Sequence, residues 1–151
     1  MENTEIARRL CQIADLMELH DENPHKVGAF RKGAEALLLV PEQAVSLASQ
    51  GRLAELPGIG PSLKAQIEEL LATGSTRLWA DLQGRTEPAL LALLAIPGLQ
   101  PRLARLLWER HGIDSPAVLV EALLAGRLRD LPGFGPREEQ ALLRAIARTI
   151  A

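Results

Sequence analysis

Apolar residues recur along this chain at steps of three and four, and no stretch sustains the alternation of a strand. Ile6, Leu10, Ile13 and Met17 set the first stripe and predict an amphipathic helix. Glu2, Glu5, Asp15, Glu18, Asp21 and Glu22 give that segment an acidic far face. Asn23-Pro24 reads as a side-chain cap followed by a proline in the first turn, opening a second helix that runs to about Val40. Pro41 restarts the chain and Gly51 closes a third helix. A fourth opens at Pro61, turns Leu63, Ile67, Leu70 and Leu71 inward and ends at Gly74; Thr76 to Gln83 follows and carries Trp79. Turn residues then cluster in Gly84-Arg-Thr-Glu-Pro88, the expected boundary between residues 1–84 and 85–151. Past it, Pro88 to Ala95, Pro101 to His111 with Gly112 as cap, and Ser115-Pro116 to Gly126 read as helices. The last helix starts at Pro136, with Leu142, Leu143, Ile146 and Ile150 inward. The prediction is an all-α fold of compact helical domains.

Between these helices one short pattern occurs three times: Leu56-Pro-Gly-Ile-Gly60, Ile96-Pro-Gly-Leu-Gln100 and Leu131-Pro-Gly-Phe-Gly135, each followed by Pro. The first and third share a longer lead-in, agreeing at 8 of 11 positions between Gly51–Pro61 and Gly126–Pro136. The first glycine lets the turn bend, and the apolar residue after it (Ile59, Leu99, Phe134) is expected to anchor the turn in the core. The second glycine leaves the backbone bare, so that an anion can reach the unpaired N–H groups and positive dipole end of the next helix. Such contacts read a phosphate backbone rather than base sequence. The candidates are Gly58, Gly60, Ser62 and Lys64 in the first hairpin, and Gly98, Gln100, Arg102 and Arg105 in the second. There Gln100 crowds the approach and the arginines compensate. Gly133, Gly135 and Arg137 keep the pattern in the third, but Glu138 and Glu139 suit the helix dipole themselves and would repel phosphate, so this hairpin is expected mainly to pack two helices.

Charge tempers this picture. The 151 residues carry a net charge of −2, with −4 in residues 1–84 and +2 in 85–151. Neither half has the basic excess of a tight nucleic-acid binder, so contacts are expected to be local, made by amides and a few cations. With no Tyr and only two Trp and two Phe, a single-strand stacking platform does not fit. Trp79 and Trp108 lie among leucines and are expected in the core. The lone Cys11 excludes an internal disulfide and a thiolate metal cage, and reads as a buried, inert thiol; His20, His25 and His111 lack metal-ligand spacing. No apolar run approaches a membrane span and the first residues are acidic, so neither a span nor a signal peptide is expected. A cytoplasmic, nucleoid-associated monomer is the default.

Residues 25–32, His-Lys-Val-Gly-Ala-Phe-Arg-Lys, followed by the Leu56–Ile67 hairpin, resemble the amino-terminal 8-kDa (lyase) domain of family X DNA polymerases, the DNA polymerase beta group. Residues 89–146 resemble the paired-hairpin subdomain that follows it in bacterial members. The resemblance implies a module for gapped or nicked DNA, with His25 and Lys26 in a 5′-phosphate pocket, Phe30 standing where the family often has Tyr, and Arg31 beside it. It also implies a monovalent cation, Na⁺ or K⁺, held by the carbonyls of Ala54, Leu56 and Ile59 and by those of Leu94, Ile96 and Leu99; no other cofactor is required. The family's lyase forms a Schiff base through a Lys six residues past the second glycine, where this chain has Gln66, and an amide cannot do that chemistry. A further phosphate-gripping Lys of the family falls on Ser62. No Asp-x-Asp pair occurs to hold magnesium ions, so these residues are not expected to polymerise DNA, whether they stand alone or form the front of a polymerase. The expected function is a non-catalytic, structure-preferring DNA-binding module, with repair proteins as further partners. The alternatives are a lyase with Lys64 or Lys26 as displaced nucleophile, and a helical protein-interaction scaffold.

Overall fold

Among the described residues, six of the nine α-helices start on a proline, whose preset φ suits the first turn and whose missing N–H would have had no partner there. The structure, a computed structural model, describes residues 1–150. The side chain of Ile150, expected inward, lies outside the described residues. The described residues contain no strand, so the all-α prediction holds.

Contacts divide the chain into two units, Met1–Arg85 and a second that begins at Thr86. The first contains α1 (Asn3–Leu19), α2 (Pro24–Leu39), α3 (Ala44–Ser49), a 3-10 turn at Leu53–Glu55, α4 (Pro61–Thr73) and α5 (Arg77–Gly84). Helices α1 and α2 pack along their lengths and form its frame. Ile6, Leu10, Ile13, Leu37, Leu53, Ile67, Leu70 and Leu82 are fully buried; the predicted stripes of α1 and α4 supply five of them, and Leu71 of α4 is half-buried. Asn23 caps α2 as expected, its side chain accepting a bond from the His25 N–H at 2.9 Å.

Two features of this unit have no periodic signature. Asn3 is buried: its side-chain amide donates to the carbonyls of Leu37 (3.1 Å) and Glu42 (2.8 Å), and its oxygen accepts from the Ala44 N–H (2.7 Å). One amide thus ties the start of α1 to the α2–α3 connection and satisfies backbone groups that burial would otherwise leave unpaired. Gly33, in mid-α2, faces the first hairpin so closely that an added Cβ would overlap the Leu63 side chain and sit 3.4 Å from Ile59 Cδ1.

The second unit contains α6 (Pro88–Leu94), α7 (Pro101–His111), α8 (Pro116–Leu124) and α9 (Pro136–Ile150), paired as α6 on α7 and α8 on α9. Leu93, Ile96, Leu107, Ile113 and Leu119 are fully buried, and Leu123, Leu142 and Ile146 are buried as well; Leu143 is half-buried. Ser115 caps α8 through Val118 N–H (3.3 Å), as Thr76 caps α5 through Trp79 N–H (3.0 Å). The tryptophans correct the sequence reading: Trp79 and Trp108 are half-buried rather than core, and the Arg9 guanidinium lies over the Trp79 ring, 5.0 Å from its centroid. Cys11 is also half-buried; burial pushes its thiol above the ordinary range, against the opposing charge of Arg31.

Candidate nucleic-acid interface

The three Pro-Gly turns adopt one geometry. Ile59 N–H donates to the Leu56 carbonyl (3.2 Å), Leu99 N–H to Ile96 (3.2 Å) and Phe134 N–H to Leu131 (3.1 Å). Proline in the second position and a left-handed glycine in the third (Gly58 φ 83°, Gly98 φ 81°, Gly133 φ 74°) make the type II pattern. The apolar fourth residue fills the core in each case: Ile59, Leu99 and Phe134 are all buried. That anchor lets an exposed turn hold a defined shape.

The second position of interest behaves differently. Gly60 has φ −86° and ψ −179°, an extended conformation open to any residue, and nothing lies within 4 Å of where its Cβ would be. Gln100 adopts nearly the same angles, φ −76° and ψ 147°. Glycine is therefore not required there by the backbone; what it provides is space. No side chain caps the first turn of α4 or of α7, so the helix-start N–H groups of both hairpins point out without a side-chain acceptor. Gly58, Gly60, Ser62, Gly98, Gln100 and Arg102 are exposed, while Arg105 is half-buried. Lys64 lies 3.7 Å from Glu68 one turn along α4.

The third corner is occupied at its second glycine by a side chain of the helix that follows. Glu138 folds back so that its Oε2 accepts the Gly135 N–H at 2.9 Å, and that oxygen lies 3.2 Å from the position of a Cβ on Gly135. Gly133 and Arg137 remain exposed. Glu139 is drawn to Arg129, 3.4 Å from its Nε.

Of the four residues matched to a 5′-phosphate pocket, the structure leaves two available. His25 and Lys26 are exposed in the first turn of α2. Phe30 is only 5% exposed and belongs to the core. Arg31 is engaged: its Nη2 lies 3.0 Å from Asp15 Oδ1 and 3.3 Å from Glu18 Oε1. Those two acids are accordingly half-buried partners, not part of a solvated face. Burial works to lower the Arg31 guanidinium, but Asp15 and then Glu18 hold it above its ordinary value; burial raises the Asp15 carboxyl despite its bond to Arg31. The three-residue spacing of Asp15 and Glu18 on one helix face was the available signal for this pairing. Arg31→Ala is expected to change affinity for gapped DNA by less than about twofold, since the guanidinium is committed to carboxylates. Fluorescence anisotropy checks it, and a tenfold loss would return Arg31 to the interface.

Two further positions concern chemistry. Gln66 stands in α4 with its Oε1 buried and lacking a hydrogen-bond partner. The carbonyls of Leu56 and Ile96 each accept one turn bond, which leaves each a second lone pair; with the neighbouring carbonyls of Ala54 and Ile59, and of Leu94 and Leu99, they fit a hard monovalent cation by donor type. Among the described residues no side-chain cluster of His, Cys, Asp or Glu could hold a metal ion, and no helix is long and apolar enough to cross a membrane.

Helices joined by anchored type II corners, one in the first unit and two in the second, define a helix-hairpin-helix protein. The chain belongs to the helix-hairpin-helix domain family, which matches residues 1–76, and residues 90–148 match the SAM-like helix-hairpin-helix tandem. It is 34% identical, over 146 residues and 97% of its length, to the amino-terminal part of the DNA polymerase/3′-5′ exonuclease PolX of Bacillus subtilis (strain 168). The chain spans 25% of the length of that relative. The resemblance to bacterial family X polymerases carried by the hairpins and residues 25–32 is borne out.

Proposed function

We propose that this chain binds the sugar–phosphate backbone of DNA at the open corners of its first and second hairpins, with preference for gapped or nicked DNA carrying a 5′ phosphate. The observation that carries the reading is the pair of uncapped helix starts beside exposed glycines at Gly58–Gly60 and Gly98. Backbone N–H groups and the helix dipole favour an anion there without needing a basic surface, which reconciles phosphate binding with a net charge of −2. Ser62 and Arg102, exposed near those starts, add a hydroxyl and a cation. His25 and Lys26 are assigned to the 5′ phosphate. A monovalent cation on the hairpin carbonyls would add positive charge behind the phosphate. Similarity to a DNA polymerase supports the assignment and suggests a setting in cytoplasmic DNA repair.

Catalysis is not part of this proposal. Gln66 offers an amide where a Schiff-base amine would be needed, and the sequence holds no Asp-x-Asp pair of the kind that binds magnesium ions. The test is a titration of gapped DNA with and without a 5′ phosphate across a salt series. With about two to four phosphate contacts, log affinity should fall with log salt at a slope of roughly −2 to −4. The phosphorylated substrate should bind more tightly, and Lys26→Ala should abolish that difference while leaving the unphosphorylated titration unchanged. Salt-independent binding, or equal affinity for both substrates, would defeat the reading.

A further inference from the structure

We infer that Glu138 determines how many strands the second unit can hold: its carboxylate is an internal anion that occupies the third hairpin and leaves the second hairpin as the open corner among the described residues of that unit. The inference rests on the backbone-binding reading above. The three hairpins share turn geometry, a left-handed first glycine and a buried apolar anchor, so the scaffold of the third corner is as competent as the others. What differs is the first turn of the following helix. Neither α4 nor α7 has a side-chain cap or an acid in its first turn, whereas α9 has Glu138 and Glu139. Glu138 at the third helical position reaches back to the N–H of Gly135 at 2.9 Å, which is half of a capping box. The bond is charge-assisted and takes a donor that phosphate would use. The corner thus binds an anion, and the anion is its own.

The same carboxylate acts on its neighbour. A recess of about 390 Å³ in this unit is lined by Pro97, Gly98 and Leu103 of the second hairpin together with Gly133, Phe134 and Glu138 of the third. A phosphate at Gly98 therefore shares an open, mostly apolar-lined recess with the carboxylate of Glu138, which is itself exposed to solvent. A strand is admitted on the Arg102 side, and a second strand is refused on the Gly133 side. The second unit grips one backbone rather than straddling two.

The two obvious variants separate charge from occupancy. Glu138→Gln keeps an acceptor for the Gly135 N–H and removes the charge; Glu138→Ala removes both. On gapped duplex DNA the full chain carrying Glu138→Ala is expected to bind about three- to tenfold more tightly than wild type, with a salt slope steeper by about 0.9. In a methylphosphonate scan of the duplex, one additional phosphate should become sensitive. Glu138→Gln should gain less than about threefold and show no added phosphate. Glu138→Ala binding like wild type, with only a lowered melting temperature, would make Glu138 a simple helix cap and overturn the inference. Identical phosphate maps for the two variants would overturn it as well. Wild-type protein that fails to bind DNA would defeat both this inference and the reading beneath it, whereas wild-type binding with an unresponsive Glu138→Ala removes the role of Glu138 alone.

Discussion

Gly60→Leu is expected to weaken binding to gapped, 5′-phosphorylated DNA by about ten- to a hundredfold, the worth of one charge-assisted hydrogen bond of roughly 1.5–3 kcal/mol. The substitution is informative because it is structurally mild. Gly60 sits at φ −86° and ψ −179°, where any L-residue is comfortable, and its Cβ position has open space around it. The same change at Gly58 or Gly98 would force a side chain into the left-handed region at φ 83° or 81°, confounding lost binding with backbone strain. At Gly60 the folding cost is that of a poorer cap residue, about 1 kcal/mol or less. An isobutyl group there covers the helix-start amides and, unlike the amide of Gln100 at the second corner, has no donor to offer a phosphate in their place. Anisotropy titration and a thermal melt together decide the matter. Unchanged affinity in a folded variant would mean that no phosphate approaches the first corner.

Gly33→Ala is expected to destabilise the first unit by about 1–3 kcal/mol, the usual cost of overpacking, lowering its melting temperature by roughly 5–20 °C. Its added methyl would overlap the Leu63 side chain, with Leu63 Cγ 3.3 Å and Ile59 Cδ1 3.4 Å away. Both side chains are buried, Leu63 4% and Ile59 6% exposed, so neither can swing out to make room. Ile59 is the anchor of the first hairpin and Leu63 lies in the first turn of α4, so the strain falls on the corner assigned to phosphate. DNA affinity should drop with stability, unlike in Gly60→Leu, where affinity drops nearly alone. A melt indistinguishable from wild type would show that the α2–α4 contact yields more easily than its packing implies.

The corners were legible in the sequence because they are local devices. Proline at the second turn position, glycine at the third and an apolar residue at the fourth specify a type II turn with an anchor, and the structure places Ile59, Leu99 and Phe134 in the core accordingly. The conflict at the third hairpin was legible too, since acids at the start of a helix compete with any external anion. Its outcome was not, because whether Glu138 points outward or folds onto Gly135 depends on a rotamer chosen in three dimensions. Arg31 and Phe30 show the same boundary. Both lie in the segment that resembles a 5′-phosphate pocket, yet α1 lies against α2 and supplies Asp15 and Glu18 to Arg31, while Phe30 is buried.

Helix positions, their proline starts and glycine ends, the all-α class and the three corner turns follow from residues within a few places of one another, and the sequence by itself determined them. Which charges stay available to a ligand was decided only by the tertiary structure. A cation is committed or free according to what a distant segment brings beside it, as Asp15 and Glu18 do for Arg31. Asn3 likewise acquires its role from carbonyls about 34 to 39 residues away. Local pattern sets backbone conformation because φ and ψ answer to near neighbours; side-chain partnership answers to packing, which brings together residues that no spacing rule relates.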